Sequence, residues 1–232
     1  MNASRSARER VRAELTREIT EIARRQLAVE GAPGLSLRAV AREMGMVSSA
    51  IYRYFPSRDD LLTALIIDGY NALGEAVEVA DAAGDPGDFT GRWLAVCRAV
   101  RGWALAHPHE YALLYGSPVP GYQAPQDTVG PALRDTVVYG KIIEAAHKAG
   151  ALTPPDGFPA PPPVLAEDFG RLRAVIMPGV PDDVVARGLT AWTGLFGTVS
   201  FELFGQFNNT IDEREALFDH VMITLGRLVG LR

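Results

Sequence analysis

Small polar side chains and arginines lie close together near the amino end of this chain, and the combination suits contact with a nucleic acid. The run Ser48-Ser49-Ala50 carries small groups that let a helix backbone approach the edges of base pairs. Arg38 and Arg53 can read guanine or hold a phosphate. Ordinary surface charge is the alternative for both arginines, so the elements that carry them decide which interpretation is favoured.

The residues around this run predict two short helices joined by a tight turn. Ser36 is a good N-cap for the first helix. Its inner face has four apolar residues, Leu37, Val40, Ala41 and Met44. Gly45 supplies the turn, and the second helix is expected from about Val47 to Tyr54, before Pro56. This is the layout of a helix-turn-helix, which places its second helix in the major groove of DNA.

Longer helices flank this motif on both sides. Apolar residues recur with a helical period from about Arg8 to Glu30 and predict the first helix, which Gly31 ends as a C-cap. Ser57 and Asp60 form a capping-box-like pair that begins another helix. That helix can continue to about Ala80, which is long enough to join two domains.

The pattern therefore predicts an all-α protein with a three-helix helix-turn-helix domain over residues 1–58 and a larger helical domain over residues 59–232. No segment shows the alternation typical of strands. Further helices are predicted over residues 89–106, 108–115, 127–149, 164–176, 182–207 and 212–228. Asp212 and Glu215 are expected to form a capping box. Six prolines make residues 154–163 an extended loop.

Charge is distributed unevenly between the two predicted domains. Residues 1–58 carry 11 arginines and 6 acidic residues, whereas residues 59–232 carry 12 basic and 22 acidic residues. A basic head on an acidic body suits a protein that docks one end onto phosphate, although solvated helices also carry uneven charge by chance. The single cysteine, Cys97, excludes an internal disulfide and favours a reducing, cytoplasmic location.

The sequence argues against secretion, membrane insertion and enzymatic activity. The first 15 residues lack the apolar core of a secretory signal, and the uncharged stretch over residues 188–201 is too short to cross a bilayer. The run from His107 to Glu110 lacks the spacing of a metal site, and an apolar Cys97 is normally inert. We therefore expect no catalytic residues, no metal and no cofactor.

The segment from Gly31 to Leu65 resembles the DNA-binding domain of the tetracycline-repressor (TetR) family. The resemblance is carried by Gly45, Ile51-Tyr52-Arg53-Tyr54-Phe55, Ser57, Arg58, Leu61 and Leu62. It implies that Tyr52 and Arg58 contact phosphate, together with the amides near Ser36 and Ser57 at helix N-termini. Val47 stands where the family usually has a capping Ser or Thr, so Ser48 is expected to cap instead.

The second domain is similar to a ligand-binding domain found in one branch of that family. Trp103, His107-Pro108 and Tyr111 carry this similarity, together with residues 192–205, in which Phe196 replaces the usual His. Aromatic and apolar residues of this domain are candidates for lining a ligand cavity. They are Trp93, Cys97, Trp103, Tyr111, Tyr115, Tyr139, Phe169, Trp192 and Phe196. The core of a helical bundle has the same composition, which is the alternative for most of them.

One helix-turn-helix reads few base pairs, so a two-fold homodimer on a palindromic double-stranded operator is expected. The last two helices carry apolar candidates for the interface, with an intramolecular core as the alternative. They are Leu195, Val199, Phe201, Leu203, Phe204, Phe218, Val221, Met222, Leu225 and Val229. The favoured hypothesis is a repressor that a small, mostly apolar effector releases from DNA. The alternative is a constitutive DNA-binding regulator or activator whose second domain only dimerises.

Overall fold

The computed structural model describes residues 2–153 and 155–232, with side chains from residue 7 onward. Residue 1 of the predicted first domain and residue 154 of the predicted proline-rich loop lie outside the described residues. Over the described ranges no residue lies in a β-strand, so the all-α prediction is confirmed. In the same ranges, no helix is long and apolar enough to cross a membrane.

Most of the helices are joined by short connections, and longer ones separate α6 from α7 and α8 from α9. In chain order they are α1 (Asn2–Gly34), α2 (Leu37–Glu43), α3 (Ser48–Ile51), α4 (Arg58–Ala82), α5 (Phe89–Ala106), α6 (Pro108–Tyr115), α7 (Val129–Ala132), α8 (Arg134–Lys148), α9 (Ala166–Ile176), α10 (Asp182–Leu203) and α11 (Arg214–Val229). Short 3-10 turns at Gln126–Thr128 and Pro163–Leu165 lead into α7 and α9. The helices form two compact units. One runs up to Tyr70 and includes His107–Val129, and the other comprises Asn71–Ala106 and Gly130–Arg232.

The first unit has an apolar core built from α1 to α4. Its buried residues are Ile19, Ile22, Ala23, Leu35, Leu37, Val40, Ala41, Ile51, Phe55, Leu61, Leu62, Leu65 and Ile66. Leu113 and Leu114 of α6 pack against this core, and the hydroxyls of Thr63 and Tyr122 are 2.8 Å apart. The unit therefore includes the start of α4 and residues 107–129, both of which the predicted division after residue 58 places in the second domain.

Several predicted helix boundaries need correction. Gly31 has a backbone φ of 68° and ψ of 176°, so it interrupts α1 where the predicted C-cap lies, but the helix starts at Asn2 rather than near Arg8. The predicted helix over residues 127–149 is divided at Leu133 into α7 and α8. The helix predicted over 182–207 ends at Leu203, because the chain then turns through Gly205 with a φ of 84°.

The capping box predicted for the last helix is wrong. The N-cap of α11 is Glu213, and its side chain makes no capping hydrogen bond. Arg214 donates instead to the side chain of Asn208, 2.7 Å from Nη2 to Oδ1. The helix therefore begins after Asp212, at a position set by the preceding turn rather than by a local capping motif.

The second unit buries much of the apolar surface of α10 and α11. Leu195, Val199, Phe218 and Met222 are at most 1% exposed in the single chain, which places these four dimer candidates in an intramolecular core. Leu203, Val221 and Leu225 are partly buried. The core packs α10 and α11 against α5, where the Trp93 indole donates a 2.8 Å hydrogen bond to the Met222 carbonyl.

Candidate nucleic-acid interface

The turn between α2 and α3 is fixed by local hydrogen bonds. The Ser36 hydroxyl accepts from the amide of Ala39 at 3.4 Å, so the predicted N-cap is confirmed. Gly45 has a φ of 68°, which an L side chain rarely adopts. The amide of Met46 then donates to the carbonyl of Ala41 at 2.8 Å. These contacts hold α3 at a defined angle to α2.

The helix α3 is anchored on one side and open on the other. Ile51 is fully buried and holds the helix on the core of the first unit. Ser48 and Ser49 are exposed, as are Tyr52 and Arg53, which follow the helix end. Ala50 is partly buried. The small and polar residues predicted to contact DNA therefore lie on or beside the accessible side of α3.

The start of α3 differs from the prediction. Val47 occupies the N-cap position and makes no side-chain capping bond, so Ser48 is the first helical residue rather than the cap. Val47 is 72% exposed. It lies beside Ser48 and Ser49, where it can touch a thymine methyl group. In the sequence, Val47 was interpreted only as a poor cap, although an apolar side chain at the start of a predicted recognition helix was a usable signal.

Arg58 has a structural role inside the protein. Its guanidinium donates from Nη2 to the carbonyl of Ala32 at 2.6 Å and from Nε to the carbonyl of Leu35 at 3.2 Å. These bonds fix the link between α1 and α2. The phosphate contact that the family resemblance implies would have to use the remaining N–H groups of this guanidinium, and it stays a prediction.

Ser57 and Arg38 lie where the sequence placed them. The Ser57 hydroxyl accepts from the amide of Asp60 at 3.1 Å and donates to its carboxylate at 2.6 Å, so the predicted capping contact at the start of α4 is confirmed. Arg38 is exposed on α2 and forms no ion pair with any residue that the structure describes. It is therefore available for an external anion.

Sequence reasoning missed two arginines of α1. Arg12 donates to the carbonyl of Arg53, 3.0 Å from Nη2 to the oxygen, and its guanidinium carbon lies 5.6 Å from the centre of the Tyr54 ring. Arg8 lies one helical turn earlier and is exposed. Their four-residue spacing was visible in the sequence. The contact between Arg12 and Arg53 was not, because these residues are 41 positions apart in the chain.

The candidate ligand residues are divided between the two units. Tyr111 and Tyr115 belong to the first unit, where their ring centres are 5.0 Å apart. The remaining candidates belong to the second unit, where all except the partly buried Trp192 are buried: Trp93, Cys97, Trp103, Tyr139, Phe169 and Phe196. Burial raises the pKa of the Cys97 thiol well above its usual value, which makes the thiol inert. The structure therefore does not bring all of these residues together within one unit.

Buried polar atoms of the second unit that lack a well-formed hydrogen bond to a described residue include Oδ2 of Asp135, Nε of Arg187 and Nε1 of Trp192. Burial raises the pKa of Asp135 to about 6, and contacts with Thr136 and with the nearby Trp192 indole oppose the rise. Sequence reasoning missed Asp135 and Arg187, because a charged residue in a helix is normally solvated. Within the described ranges no group of three His, Cys, Asp or Glu residues could hold a metal ion.

A separate cavity of about 770 Å³ opens in the second unit. Its lining includes Thr90 and Leu94 of α5, Ile223 and Arg227 of α11, and Trp93. Of the candidate ligand residues, it includes Trp93 alone. The sequence-predicted aromatic set and this cavity are therefore largely different places.

Comparison with known families identifies both parts of the chain. Residues 19–65 match the family model described as bacterial regulatory proteins, tetR family. Residues 93–225, more than half of the chain, match the model described as tetracyclin repressor-like, C-terminal domain. The first match contains the whole α2–turn–α3 motif.

Individual relatives agree with these matches. The HTH-type transcriptional regulator Rv1816 of Mycobacterium tuberculosis is 45% identical over 208 residues, which is 88% of this chain and 85% of the relative. Mb1846 of Mycobacterium bovis gives the same values. The crystal structure of SCO4313 has a TM-score of 0.75 at 34% identity and covers 94% of this chain and 97% of that chain. The family models and these curated relatives are transcriptional regulators rather than enzymes.

Proposed function

Because this chain belongs to the tetR family of bacterial transcriptional regulators, we propose that it is a homodimeric repressor that leaves a palindromic operator when a small, mostly apolar molecule binds. DNA binding and transcription regulation are functions of the family itself. The observation that carries the proposal is the surface of α3, where exposed Ser48, Ser49, Tyr52 and Arg53 surround the buried anchor Ile51.

The proposed DNA contacts are of two kinds, contacts with base edges and contacts with backbone phosphates. Ser48, Ser49 and Val47 lie at the start of α3, where short side chains allow close approach to base edges. Arg53 and Tyr52 follow the end of α3 and can reach guanine or the phosphates. One good bidentate contact from an arginine to a guanine discriminates against the wrong base by about 1–3 kcal/mol. A selective regulator therefore needs the helix-turn-helix motifs of two subunits.

The proposed homodimer is supported by an apolar stripe on α10. Leu189 and Phe201 are 38% and 54% exposed, and Thr193 and Gly197 between them at four-residue spacing are also exposed. A methyl group added at Gly197 would meet no atom within 4 Å beyond the neighbouring backbone of its own helix, so this part of the helix is open to close approach. Phe204 extends the stripe at 46% exposure. This open stripe replaces the buried residues Leu195 and Val199 as the proposed dimer surface.

The proposed response to a ligand is supported by the interior of the second unit. Trp93 packs against Tyr139 with ring centres 5.8 Å apart, and Trp192 packs against Phe196 at 5.2 Å. The Asp135 carboxylate and the Trp192 indole N–H, which lies close enough to favour the charged carboxylate, offer one acceptor and one donor side by side. A mostly apolar molecule with a single polar group would satisfy this environment. To release DNA it must favour one conformation over the other by about 1–3 kcal/mol.

A titration separates this proposal from the constitutive alternative. The purified full chain is titrated into a fluorescent duplex taken from the DNA upstream of its own coding sequence, and affinity is read by fluorescence anisotropy. The titration is repeated with small aromatic and aliphatic compounds, beginning with phenol and toluene. A compound that weakens binding for the natural chain, but not for an Asp135→Asn or Trp192→Phe variant, supports the ligand-responsive repressor. DNA binding that no compound changes across a broad panel favours the constitutive regulator.

A further inference from the structure

The first unit has a shallow recess at the end of α3, and arginines dominate its lining. The recess measures about 470 Å³ and is lined by Ala7, Arg8, Val11, Arg12, Arg53 and Tyr54. We propose that this arginine recess seats a phosphate of the DNA backbone next to the recognition helix. The proposal adds the amino-terminal part of α1 to the DNA-binding surface and rests on the DNA-binding function of the first unit.

One arginine of the recess is held in place before any DNA arrives. Arg12 uses one N–H for the carbonyl of Arg53 and stacks on the ring of Tyr54. A guanidinium has five N–H groups, so four remain for an external acceptor. Because the side chain is already ordered, little conformational entropy is lost when a phosphate binds.

No described residue that lines the recess neutralises its charge. Three of the six described lining residues are arginines, and none of the six is acidic. Arg8, Arg12 and Arg53 form no ion pair with a residue in the described part of the chain. The nearby carboxylate of Glu14 is paired with Arg17. Such planar, forked donors suit a phosphate, because each guanidinium can donate two parallel hydrogen bonds to its oxygens.

The position of the recess favours DNA over a small anion as its occupant. Arg53 belongs both to the recess and to the exposed residues that follow α3. A duplex that receives α3 in its major groove brings a backbone strand past the end of that helix. Val11, which is 60% exposed, leaves the recess open on the side of α1. The recess is therefore shaped to accept a strand that passes across it, not to enclose a molecule.

The salt dependence of DNA binding tests this proposal. The full chain is titrated into its upstream duplex and into an unrelated duplex of equal length at several NaCl concentrations. Each lost phosphate contact reduces the slope of log K against log salt by about 0.9, so a dimer that loses one contact in each head loses about 1.8. We expect this reduction for Arg8→Gln on both duplexes, and a preserved slope for Arg8→Lys.

Arg17→Gln is the matched control, since Arg17 lies on the same helix with its charge already paired to Glu14. Arg12→Gln is expected to reproduce Arg8→Gln, with far-UV circular dichroism confirming an unchanged helix content. Equal slopes for Arg8→Gln and Arg17→Gln overturn the recess as a phosphate site while leaving the DNA-binding function intact. Failure of the natural chain to bind either duplex at low salt overturns both.

Competition with inorganic phosphate distinguishes a DNA backbone phosphate from a free phosphate ion as the occupant of the recess. At constant ionic strength, phosphate should compete with the duplex no better than chloride does. Strong competition in the natural chain that Arg8→Gln abolishes would mean that the recess is a site for a small free anion, and would overturn DNA as its occupant.

Discussion

Arg24 and Asp68 form an ion pair, 2.8 Å from Nη2 to Oδ2, that joins α1 to α4. The same guanidinium reaches Glu110 of α6, 3.0 Å from Nε to Oε1. One side chain thus holds together three helices of the first unit. Burial raises the pKa of Asp68, and the positive charge of Arg24 lowers it. Arg24 therefore opposes the effect of burial on a partly buried carboxylate between these helices.

The first prediction concerns this ion-pair network. Arg24→Gln should lower the free energy of unfolding by about 1 kcal/mol, because two partly exposed pairs are lost. It should also raise the pKa of Asp68, since the opposing charge is gone. Urea denaturation measures the first effect and carboxyl NMR titration the second. Arg17→Gln, which removes an exposed pair on the same helix, should change the stability by much less. An unchanged Asp68 pKa would contradict the assigned role.

The second prediction concerns the residues at the end of α3. Tyr52→Ala and Arg53→Ala should each weaken operator binding while helix content and dimerisation stay unchanged, because both side chains are exposed in the single chain. If Arg53 reads a base, its loss should reduce discrimination by about 1–3 kcal/mol at one operator position. Anisotropy titrations against a set of single-base operator variants measure this. Equal weakening on every duplex would assign Arg53 to phosphate instead.

The third prediction concerns the apolar stripe of α10. Phe201→Glu should shift the protein from dimer to monomer, since a carboxylate would be buried against the partner's copy of the stripe. The same change at Val164, which is 83% exposed outside α10, is the control and should leave the dimer intact. Sedimentation velocity over a range of concentrations measures both. A Phe201→Glu variant that remains dimeric would place the interface elsewhere.

The fourth prediction follows from Asp135. Its pKa in the folded chain is raised to about 6 from an ordinary value of 3.8, so the folded state holds this proton more tightly than the unfolded state. The stability contributed by Asp135 is therefore greatest at low pH, falls as the pH rises between these two values, and is lost above about pH 6. The full effect corresponds to about 2–3 kcal/mol. Asp135→Asn should flatten this part of the stability curve, as measured by denaturant unfolding from pH 4 to pH 8. Asp168→Asn, which removes a carboxylate from an exposed ion pair, should leave this pH dependence unchanged.

The fifth prediction uses two glycines that lie inside helices of the second unit. A Cβ at Gly140 would stand 2.3 Å from the carbonyl oxygen of Ile176, whereas one at Gly102 would meet nothing within 4 Å. Gly140→Ala should therefore destabilise the fold by more than about 1 kcal/mol, because α8 and α9 must move apart. Gly102→Ala should stabilise it by up to about 1 kcal/mol through helix propensity. Thermal unfolding of the two variants measures both the expected loss and the expected gain of stability.

Local signals were sufficient for much of the fold. Proline and capping residues marked the starts of several helices, so α5 and α6 were predicted over the ranges that the structure shows. The turn at Gly45 was predicted, because glycine readily adopts the positive φ that such a turn requires. The end of α3 was predicted too late, because Tyr52 and Arg53 have helical propensity but lie in turns after Ile51.

Contacts between distant residues were beyond a reading of the sequence. The carbonyls that Arg58 binds are 23 and 26 positions away, and no periodic pattern connects them. The burial of Asp135 and Arg187 went against the ordinary behaviour of charged residues in helices. Aromatic content alone also did not separate Tyr111 from Trp93, which the fold assigns to different units.

The discontinuous course of the first unit has a practical consequence for fragments and chimaeras. The chain leaves this unit after Tyr70 and re-enters it at His107. A fragment cut at residue 70 would lose Leu113, Leu114 and Val119, and the apolar core surface against which they pack would be exposed to solvent. Grafting the first unit onto another sensor therefore calls for transplanting residues 107–129 along with it, and the graft has three junctions to engineer, after residues 70, 106 and 129, instead of one.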